Sequence, residues 1–294
     1  MMKKEEGFTF TGIGTDWCVL TDGGELRQDA RTGITDYIRV FNERFSRFLP
    51  DSEVCAFRKA EAGEYPVSEE FAVLLERAGG LRRLTNGLYD PAVGGLLEEA
   101  GYDAAYSMVP HPGVEEFRLP KWEIRGHVLR VDGPVVFDLG GMGKGYCIDR
   151  VADILESFGY THYLVDGGGD IYATTKRGGE PWHIAIEYPG KSDTAAGTVE
   201  LADQGLAVSD TFRRQWGGWH HIVHPFLRAP IEGVLGVAAL APTAWDADCA
   251  TSALFFSDTR KYAAVAKSLH ARYLVFRADG RTEVSTDWEG EVFV

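Results

Sequence analysis

The hydrophobic pattern predicts strands at both ends of the chain and through its second half. Residues 8–24, FTFTGIGTDWCVLTDGG, alternate between apolar and polar side chains and end in an Asp-Gly-Gly turn, so we expect a first strand with its hairpin. Apolar runs bounded by turn residues predict further strands at residues 122–133, 135–139, 161–174, 183–188, 197–209 and 272–280.

A different spacing of apolar residues predicts the helices. Ile38, Phe41, Phe45 and Phe48 recur at helical intervals, which indicates a helix over residues 32–48. Other helices are predicted at 68–85 with Ser68 as N-cap, at 90–103, at 143–158, at 260–270, and after a strand in 234–257 with Thr243 as cap. Helices and strands mix without regular βαβ alternation, which favours an α+β fold. We find no repeat or linker and predict one domain over residues 1–294, made of two intertwined lobes.

Composition and charge narrow the class of function. The 294 residues carry a formal net charge of −14, which argues against nucleic acid as a partner because its phosphates need a cationic surface. No apolar run reaches the ~18–20 residues of a membrane span. The N-terminus has no apolar signal-peptide core, so we expect a cytoplasmic protein. The four cysteines stand far apart without a CxxC pair, which predicts buried free thiols.

One glycine-rich stretch is typical of a phosphate site. In VVFDLGGMGKGYCIDRV, residues 135–151, Asp138 ends an apolar run and a turn with Lys144 leads into a helix. Free N–H groups at a helix N-terminus bind anions. Neither the P-loop nor the Rossmann fingerprint is present, so a plain glycine-rich turn with Asp138 as a structural cap stays an alternative. In LVDGGGDIY, Asp166 could hold a ribose, but a tight turn between strands is favoured.

Two further stretches carry candidate ligands or bases. If WDADCATSALFF is helical, Asp248 and Ser252 lie on one face with Thr251 beside them, and such hard oxygen donors suit Mg²⁺. The alternative is that Asp246 and Asp248 only complement the helix N-terminus. GGWHHIVHP clusters three histidines (His220, His221 and His224), for which a single acid/base histidine is favoured over a zinc site. For any one of them, an ordinary packing or surface histidine is the alternative.

Seven segments follow one another in the order of a known family. The most specific is FDLGGMGKGYCIDRV, which matches the pattern D-L-G-G-x-A-K-G-Y-x-x-D almost residue for residue. The others are GIGTDW, FSRFLPDSEVCAF, GLYDPAVGGLL, YLVDGGGDIYA, HHIVHP and DADCATSALF. From the N-terminal strand to the penultimate helix, the chain resembles the ApbE-type family, the FAD:protein FMN transferases.

The resemblance implies an α+β fold of mixed sheets with flanking helices, which binds FAD and Mg²⁺ at the junction of the lobes. It implies transfer of FMN from FAD to a Thr or Ser hydroxyl of an acceptor flavoprotein, with release of AMP. By position it implies Mg²⁺ ligands at Asp248, Ser252 and the Gly141 carbonyl, with Thr251 a weaker candidate. The FAD contacts that it implies are Ile13, Phe48, Ala100, Gly101, Tyr102, Asp138, Lys144 and His221, and we predict His221 as the base.

The chain departs from the family pattern near the predicted base. The aspartate of H-I-I-D-P is His224 here, and the threonine among the magnesium ligands is Ser252, which keeps the oxygen donor. Two alternatives remain beside the transferase: an FAD pyrophosphatase that yields FMN and AMP, and a non-catalytic FAD-binding protein. A nicotinamide dehydrogenase is disfavoured because its fingerprint is missing.

Overall fold

The computed structural model describes residues 7–293. Residues 1–6, at which no signal peptide is predicted, and residue 294, the last of the predicted domain, lie outside the described residues. The strands are β1 (Phe8–Gly12), β2 (Thr15–Thr21), β3 (Gly63–Pro66), β4 (Trp122–Arg125), β5 (Val128–Val131), β6 (Tyr163–Gly167), β7 (Asp170–Ala173), β8 (Trp182–Tyr188), β9 (Lys191–Leu201), β10 (Gln204–Asp210), β11 (Gln215–Trp216), β12 (Trp219–His220), β13 (Val223–His224), β14 (Ala229–Pro230), β15 (Val234–Ala241), β16 (Arg272–Arg277), β17 (Thr282–Val284) and β18 (Gly290–Val292).

The helices are α1 (Gln28–Phe45), α2 (Glu69–Leu84), α3 (Gly94–Glu99), α4 (Gly113–Glu116), α5 (Gly143–Ser157), α6 (Ala244–Phe255) and α7 (Tyr262–Ser268). Two predicted caps are confirmed: the Ser68 side chain accepts a hydrogen bond from the Phe71 N–H, and the Thr243 side chain accepts one from the Asp246 N–H. The predicted α+β class is confirmed, and the four cysteines are buried free thiols as predicted.

The chain divides into two compact units, each discontinuous in sequence. Unit 1 comprises Met1–Asn42, Gly140–Asp210 and Gly233–Val294, and unit 2 comprises Glu43–Leu139 and Thr211–Glu232.

Unit 1 is built on an eight-stranded antiparallel sheet in the order β1-β2-β6-β7-β10-β15-β16-β17. Alternate residues of its strands, such as Leu206, Ala238 and Leu274, form a buried cluster with Ile184 and Val199 of a smaller sheet, β18-β9-β8. Because successive side chains of a strand point to opposite faces, the remaining side chains of these strands lie on the other face of the large sheet. Helices α5 and α6 contact each other and pack against β6, β7, β10 and β15.

Unit 2 holds a three-stranded sheet, β3-β5-β4, and two short hairpins, β11-β12 and β13-β14. An apolar cluster of unit 2 surrounds the end of α3 and includes Leu96, Ala100, Tyr102, Trp216 and Val223. This cluster fixes the turn after α3, which contains predicted FAD-binding residues.

The N-terminal prediction was correct in type but wrong in detail. The sequence forms two antiparallel strands, and the turn of the hairpin lies at Ile13 and Gly14, between Gly12 and Thr15, which face each other in the register. Both turn residues have positive φ, 43° and 75°, as a two-residue hairpin turn requires. The predicted Asp-Gly-Gly turn instead follows β2 and leads towards α1.

The predicted strand at residues 135–139 was wrong. The Val135 N–H donates to the carbonyl of Phe57, and the Asp138 N–H donates to the carbonyl of Pro91. These acceptors belong to two separate segments, so the extended chain has no single neighbouring strand with which to form a ladder. Phe137 is nevertheless fully buried, so the apolar signal came from the core and not from a sheet.

Candidate functional site

In unit 1, helices α5 and α6 each supply a carboxylate that accepts hydrogen bonds from N–H groups at the start of the other helix. The N–H of Gly145, in the first turn of α5, donates to Oδ2 of Asp248 on α6 at 2.9 Å. In return, Asp149 of α5 accepts from the first N–H groups of α6, at Ala244 (2.9 Å) and Trp245 (3.0 Å). Each helix therefore satisfies amide groups that would otherwise lack acceptors at the start of the other helix.

The approach of α5 to α6 requires a glycine at position 145. A Cβ atom there would lie 2.7 Å from Cβ of Asp248 and would also collide with the carbonyl oxygen of Ala244. Real Cβ atoms do not approach backbone so closely. The glycine-rich turn is thus explained in part by packing, and this packing fixes the position of the Asp248 carboxylate.

We expect replacement of Asp149 by alanine to lower the free energy of unfolding by about 1–2 kcal/mol at neutral pH, since two N–H groups lose their acceptor. Burial raises the pKa of Asp149 to about 6, against two backbone hydrogen bonds that lower it. A raised carboxyl pKa contributes stability that is present at low pH and lost as the pH rises through about 6. The difference in free energy of unfolding between the wild type and Asp149→Ala should therefore be larger at pH 5 than at pH 7.5.

Urea unfolding at the two pH values measures this difference. Asp153→Ala is the matched control, because Asp153 lies on the same helix but is exposed and pairs only with nearby Arg150 among its ion-pair partners in the described chain. An Asp149→Ala variant as stable as the control at both pH values would contradict the capping role.

A buried charge cluster lies at the start of α5. Lys144 Nζ forms an ion pair with Oδ2 of Asp170, whose side chain is fully buried and whose Oδ1 accepts from the Val208 N–H at 3.0 Å. Burial raises the pKa of Asp248 to about 7, while nearby Lys144 lowers it and Asp170 raises it again. Two buried carboxylates thus share one ammonium group, which leaves excess negative charge when both are ionised.

The predicted oxygen donors on α6 differ in what they contact. The Ser252 hydroxyl donates to the carbonyl oxygen of Gly141 at 2.6 Å, so the structure brings together these two predicted ligands. The Thr251 hydroxyl donates to the backbone carbonyl of Asp248 at 2.9 Å and lies 3.1 Å from the hydroxyl of Ser209. Thr251 therefore contacts its own helix and β10 instead of the Gly141 carbonyl.

The Gly-rich hairpin after β6 is a tight turn, as favoured by the sequence. Asp166 accepts a hydrogen bond from the Gly169 N–H at 2.7 Å, and Gly168 and Gly169 have positive φ of 71° and 94°. The carboxylate of Asp166 thus closes the turn. Ile13, a predicted FAD contact in unit 1, is half-buried in the first hairpin at a φ that β-branched residues rarely adopt.

Arg47 brings together three predicted FAD-binding residues of unit 2. Its Nε donates to Oδ2 of Asp138 at 2.6 Å, and its guanidinium carbon lies 4.1 Å from the centre of the Phe48 ring and 4.7 Å from that of Tyr102. The Arg47 side chain is only 2% exposed. The rings of Phe48 and Tyr102 also meet edge to face at 5.3 Å. Asp138 is therefore the partner of a buried arginine and does not end a strand.

The turn after α3 is held from two sides. The carbonyl oxygen of Ala100 accepts from the Trp216 indole N–H at 2.7 Å, and that of Gly101 accepts from the Met108 N–H at 2.8 Å. Gly101 has a φ of +101°, which other residues avoid. The three predicted residues Ala100, Gly101 and Tyr102 thus belong to one rigid turn.

The three histidines of GGWHHIVHP lie in and between the two short hairpins of unit 2: His220 ends β12 and His224 ends β13. His221 is half-buried between β12 and β13. His220 and His224 both hydrogen-bond to backbone groups. Among residues 7–293, no group of three or more His, Cys, Asp or Glu side chains is arranged to hold a metal ion. The predicted donor set on α6 contains only one carboxylate and would not form such a group.

Three residues with long-range partners were missed in the sequence: Arg47, Asp149 and Asp170. Asp149 is the last residue of the DLGGMGKGYCID match, and Asp170 follows the three glycines, so both stood inside quoted motifs. No local pattern indicates which group each of them contacts, because the partners are distant along the chain. The predicted placement of the site at the junction of two lobes stays a prediction. No helix within residues 7–293 combines the length and the apolar character that crossing a membrane demands.

Comparisons with known proteins agree with the motif order. The family model described as the ApbE family matches residues 13–275. A curated FAD:protein FMN transferase from Haemophilus influenzae is 28% identical, over 91% of this chain and 85% of that protein. One from Vibrio cholerae is 29% identical, over 81% of this chain and 76% of that protein.

Solved structures lead to the same family. The ApbE protein of Thermotoga maritima is 26% identical with a TM-score of 0.83, and the flavin transferase ApbE from Vibrio cholerae is 26% identical with a TM-score of 0.82. Each alignment covers 95% of this chain and 96% of the other. The resemblance seen in the sequence is confirmed: the chain belongs to the ApbE family.

Proposed function

We propose that this chain transfers FMN from FAD to a Thr or Ser hydroxyl of an acceptor protein and releases AMP. The curated relatives that align with most of the chain are FAD:protein FMN transferases. The observation that carries the proposal is the pair of mutually capped helices, which fixes the Asp248 carboxylate at the glycine-rich turn, where Lys144 pairs with the buried Asp170. A pyrophosphate substrate needs such a combination of a cation, backbone amides and a site for a metal.

The proposed metal is Mg²⁺, and the donor chemistry at α6 fits it. The fit rests on the excess negative charge of the buried Asp248 and Asp170 carboxylates, of which only one is neutralised by Lys144. Asp248, the Gly141 carbonyl and the Ser252 hydroxyl would hold the ion, since Mg²⁺ prefers hard oxygen ligands. Bound there, Mg²⁺ would neutralise charge on the substrate phosphates.

The residues of unit 2 would bind the organic part of FAD and assist the acceptor. The Phe48 ring contacts Arg47 and stacks on Tyr106, and Tyr102 is buried, so these two rings would offer FAD only the apolar surface that their neighbours leave uncovered. Arg47 fixes both rings relative to Asp138. Ile13 and the turn Ala100–Tyr102 are the other proposed contacts.

His221 would act as the base for the acceptor hydroxyl. The hydroxyl oxygen attacks the phosphorus on the FMN side of the pyrophosphate, the bond from that phosphorus to the bridging oxygen breaks, and AMP leaves. The hydroxyl proton passes to the imidazole of His221. A base positioned in this way accelerates a reaction by about 10²–10⁴-fold.

Incubation of the purified protein with FAD and Mg²⁺ tests the proposal, with and without a flavoprotein domain that carries a threonine at its flavinylation site. We expect AMP and covalent FMN on the domain in equal amounts. AMP with free FMN in both samples would instead identify an FAD pyrophosphatase. Bound FAD without AMP would identify a binding protein and refute both enzymatic functions.

Removal of divalent cations should stop AMP release, because the substrate phosphates would then face uncompensated carboxylates. We expect activity to fall below detection with EDTA and to return when Mg²⁺ is added in excess. A thermal shift on adding Mg²⁺ without FAD measures the metal separately from turnover. Full activity in EDTA after exhaustive dialysis would contradict the proposed metal.

A further inference from the structure

The hairpin that follows His221 is held by two imidazole rings. In β13 and β14, Val223 pairs with Pro230 and His224 pairs with Ala229. His220 lies immediately before His221, and His224 ends β13. The two flanking histidines therefore bracket the proposed base along the chain.

His220 forms a small turn whose central residue is His221. The Ile222 N–H donates to Nδ1 of His220 at 3.3 Å, across His221. On the other side of the ring, Nε2 lies 3.0 Å from the carbonyl oxygen of Ile231, to which it can only donate. Both bonds form together only in the neutral ring with its proton on Nε2, a tautomer assigned from this hydrogen-bond network.

His224 closes the loop at the end of the same hairpin. Its Nδ1 accepts from the Leu227 N–H at 3.1 Å and from the Phe226 N–H at 3.3 Å. The Arg228 N–H returns to the carbonyl of His224 at 2.8 Å, which completes the turn. The side-chain acceptor stands where an aspartate or asparagine would accept N–H groups two and three residues ahead. In this chain an imidazole takes that role, and it can do so only while Nδ1 is unprotonated.

The surroundings favour the neutral form of both rings. Burial lowers the pKa of His220 and of His224, and a backbone hydrogen bond opposes this in each case. Apart from the two rings, the charged and titratable groups of residues 211–232 are Arg213, Arg214, His221, Arg228 and Glu232. Arg213 and Arg214 precede β11, which pairs with β12, and the Arg228 guanidinium donates to the carbonyl of Glu115. Within residues 7–293, neither ring forms a salt bridge with a carboxylate, a contact that would stabilise the charged form.

We propose that His220 and His224 are positioning residues for the transfer reaction, and that their neutral rings hold the backbone on both sides of His221. This inference rests on the proposed function, because the role of His221 does. Protonation places an N–H group against the N–H groups of Ile222, Phe226 and Leu227 and breaks these hydrogen bonds. Since a lowered histidine pKa contributes stability that is present above about pH 6.5 and lost below it, the hairpin loosens in acid.

Nuclear magnetic resonance tests the geometry without any turnover. In protein labelled with ¹⁵N-histidine, His220 and His224 should show a protonated Nε2 and an unprotonated Nδ1 at pH 7.5. Amide exchange at Phe226 and Leu227 should accelerate at least tenfold beyond its intrinsic pH dependence as His224 takes up a proton. Protected amides beside a protonated His224 would overturn the proposal, whether or not the protein transfers FMN.

The pH profile of transfer tests the effect on the reaction. His224→Asn keeps an oxygen acceptor at every pH, whereas His224→Phe keeps a ring and removes the acceptor. We expect His224→Phe to lose activity at pH 8 by tenfold or more and His224→Asn to recover most of it. On the acid side of the pH profile, the slope of log kcat/KM against pH should be smaller by one in His224→Asn than in the wild type, because one group fewer takes up a proton. Equal slopes, or equal activity of the two variants at pH 8, would overturn the proposal.

The two experiments separate this inference from the proposed function. If the wild type transfers no FMN to any acceptor, the transferase proposal fails, and the tautomers and amide exchange still decide the hairpin. If transfer occurs but amide exchange at Phe226 and Leu227 does not change when His224 is protonated, only the positioning role is refuted.

Discussion

Replacement of Asp248 by asparagine should lower the rate of FMN transfer about 10³-fold or more. The substitution keeps the shape of the side chain and an oxygen that can accept from the Gly145 N–H, but it removes the charge that we expect to hold Mg²⁺. Metal assistance at a phosphoryl centre contributes several kcal/mol, and each ~1.4 kcal/mol corresponds to a factor of ten in rate. The variant should also lose the thermal shift caused by Mg²⁺.

Stability should change in the opposite direction to activity. Asp248 is fully buried, and burial raises its pKa to about 7, so without metal its charge opposes folding at higher pH. Stability from such a raised pKa is present at low pH and lost as the pH rises through about 7. We therefore expect the metal-free asparagine variant to be at least as stable as the metal-free wild type at pH 8. This would show that the loss of activity is not a loss of fold.

Asp246→Asn is the matched control on the same helix. Asp246 is half-buried in the first turn of α6 and also lies near its N-terminus, but it is not among the proposed ligands. This variant should retain transfer and the Mg²⁺ shift. Equal losses in both variants would indicate that the two carboxylates only complement the helix N-terminus, which is the alternative that the sequence left open.

Local signals in the sequence were sufficient to predict much of the α6 region. Thr243 caps the helix as predicted, and the buried strand before it follows from a continuous apolar run. The face shared by Asp248 and Ser252 follows from helical spacing alone. Gly141 required more, because its contact with Ser252 joins residues 111 positions apart and was reached only through the family pattern.

Other features depended on contacts that no local pattern contains. The run at 135–139 has the apolar residues of a buried strand, yet its amide groups bind two unrelated segments. Arg47 looks like any charged residue at the end of an amphipathic helix, but it is buried against Asp138 and two aromatic rings. Ile13 occupies a left-handed turn position that a β-branched side chain disfavours. Turn propensity therefore favoured Gly23 and Gly24, and the hairpin turn was predicted there instead.

His224 stands where the family pattern has an aspartate, and in this chain its ring is a hydrogen-bond acceptor. In the structure the imidazole accepts the N–H groups of Phe226 and Leu227, as a short acidic or amide side chain would. An imidazole offers this acceptor only while Nδ1 is unprotonated, and burial lowers the pKa of His224, so the acceptor is lost in acid; a carboxylate keeps accepting to lower pH.

Replacement of His221 by alanine should lower transfer by about 10²–10⁴-fold, because it removes the group that accepts the proton of the acceptor hydroxyl. FAD should still bind, since His221 is only one of its predicted contacts, and Mg²⁺ binding should be unchanged. Fluorescence titration with FAD measures binding, and the formation of covalent flavin on the acceptor domain measures transfer. The wild-type rate should rise with pH as a histidine deprotonates, and in the variant the residual rate should lose that dependence on one proton.

His183→Ala is the control for the loss of a histidine, since His183 is exposed on β8 and its salt-bridge partner Glu200 is exposed as well. It should transfer FMN at the wild-type rate. If His221→Ala instead releases AMP at the wild-type rate without an acceptor and forms no covalent flavin, then water does not need the base and the acceptor does. Wild-type transfer by His221→Ala would remove His221 from the mechanism and would leave the metal site on α6 as the main source of catalysis.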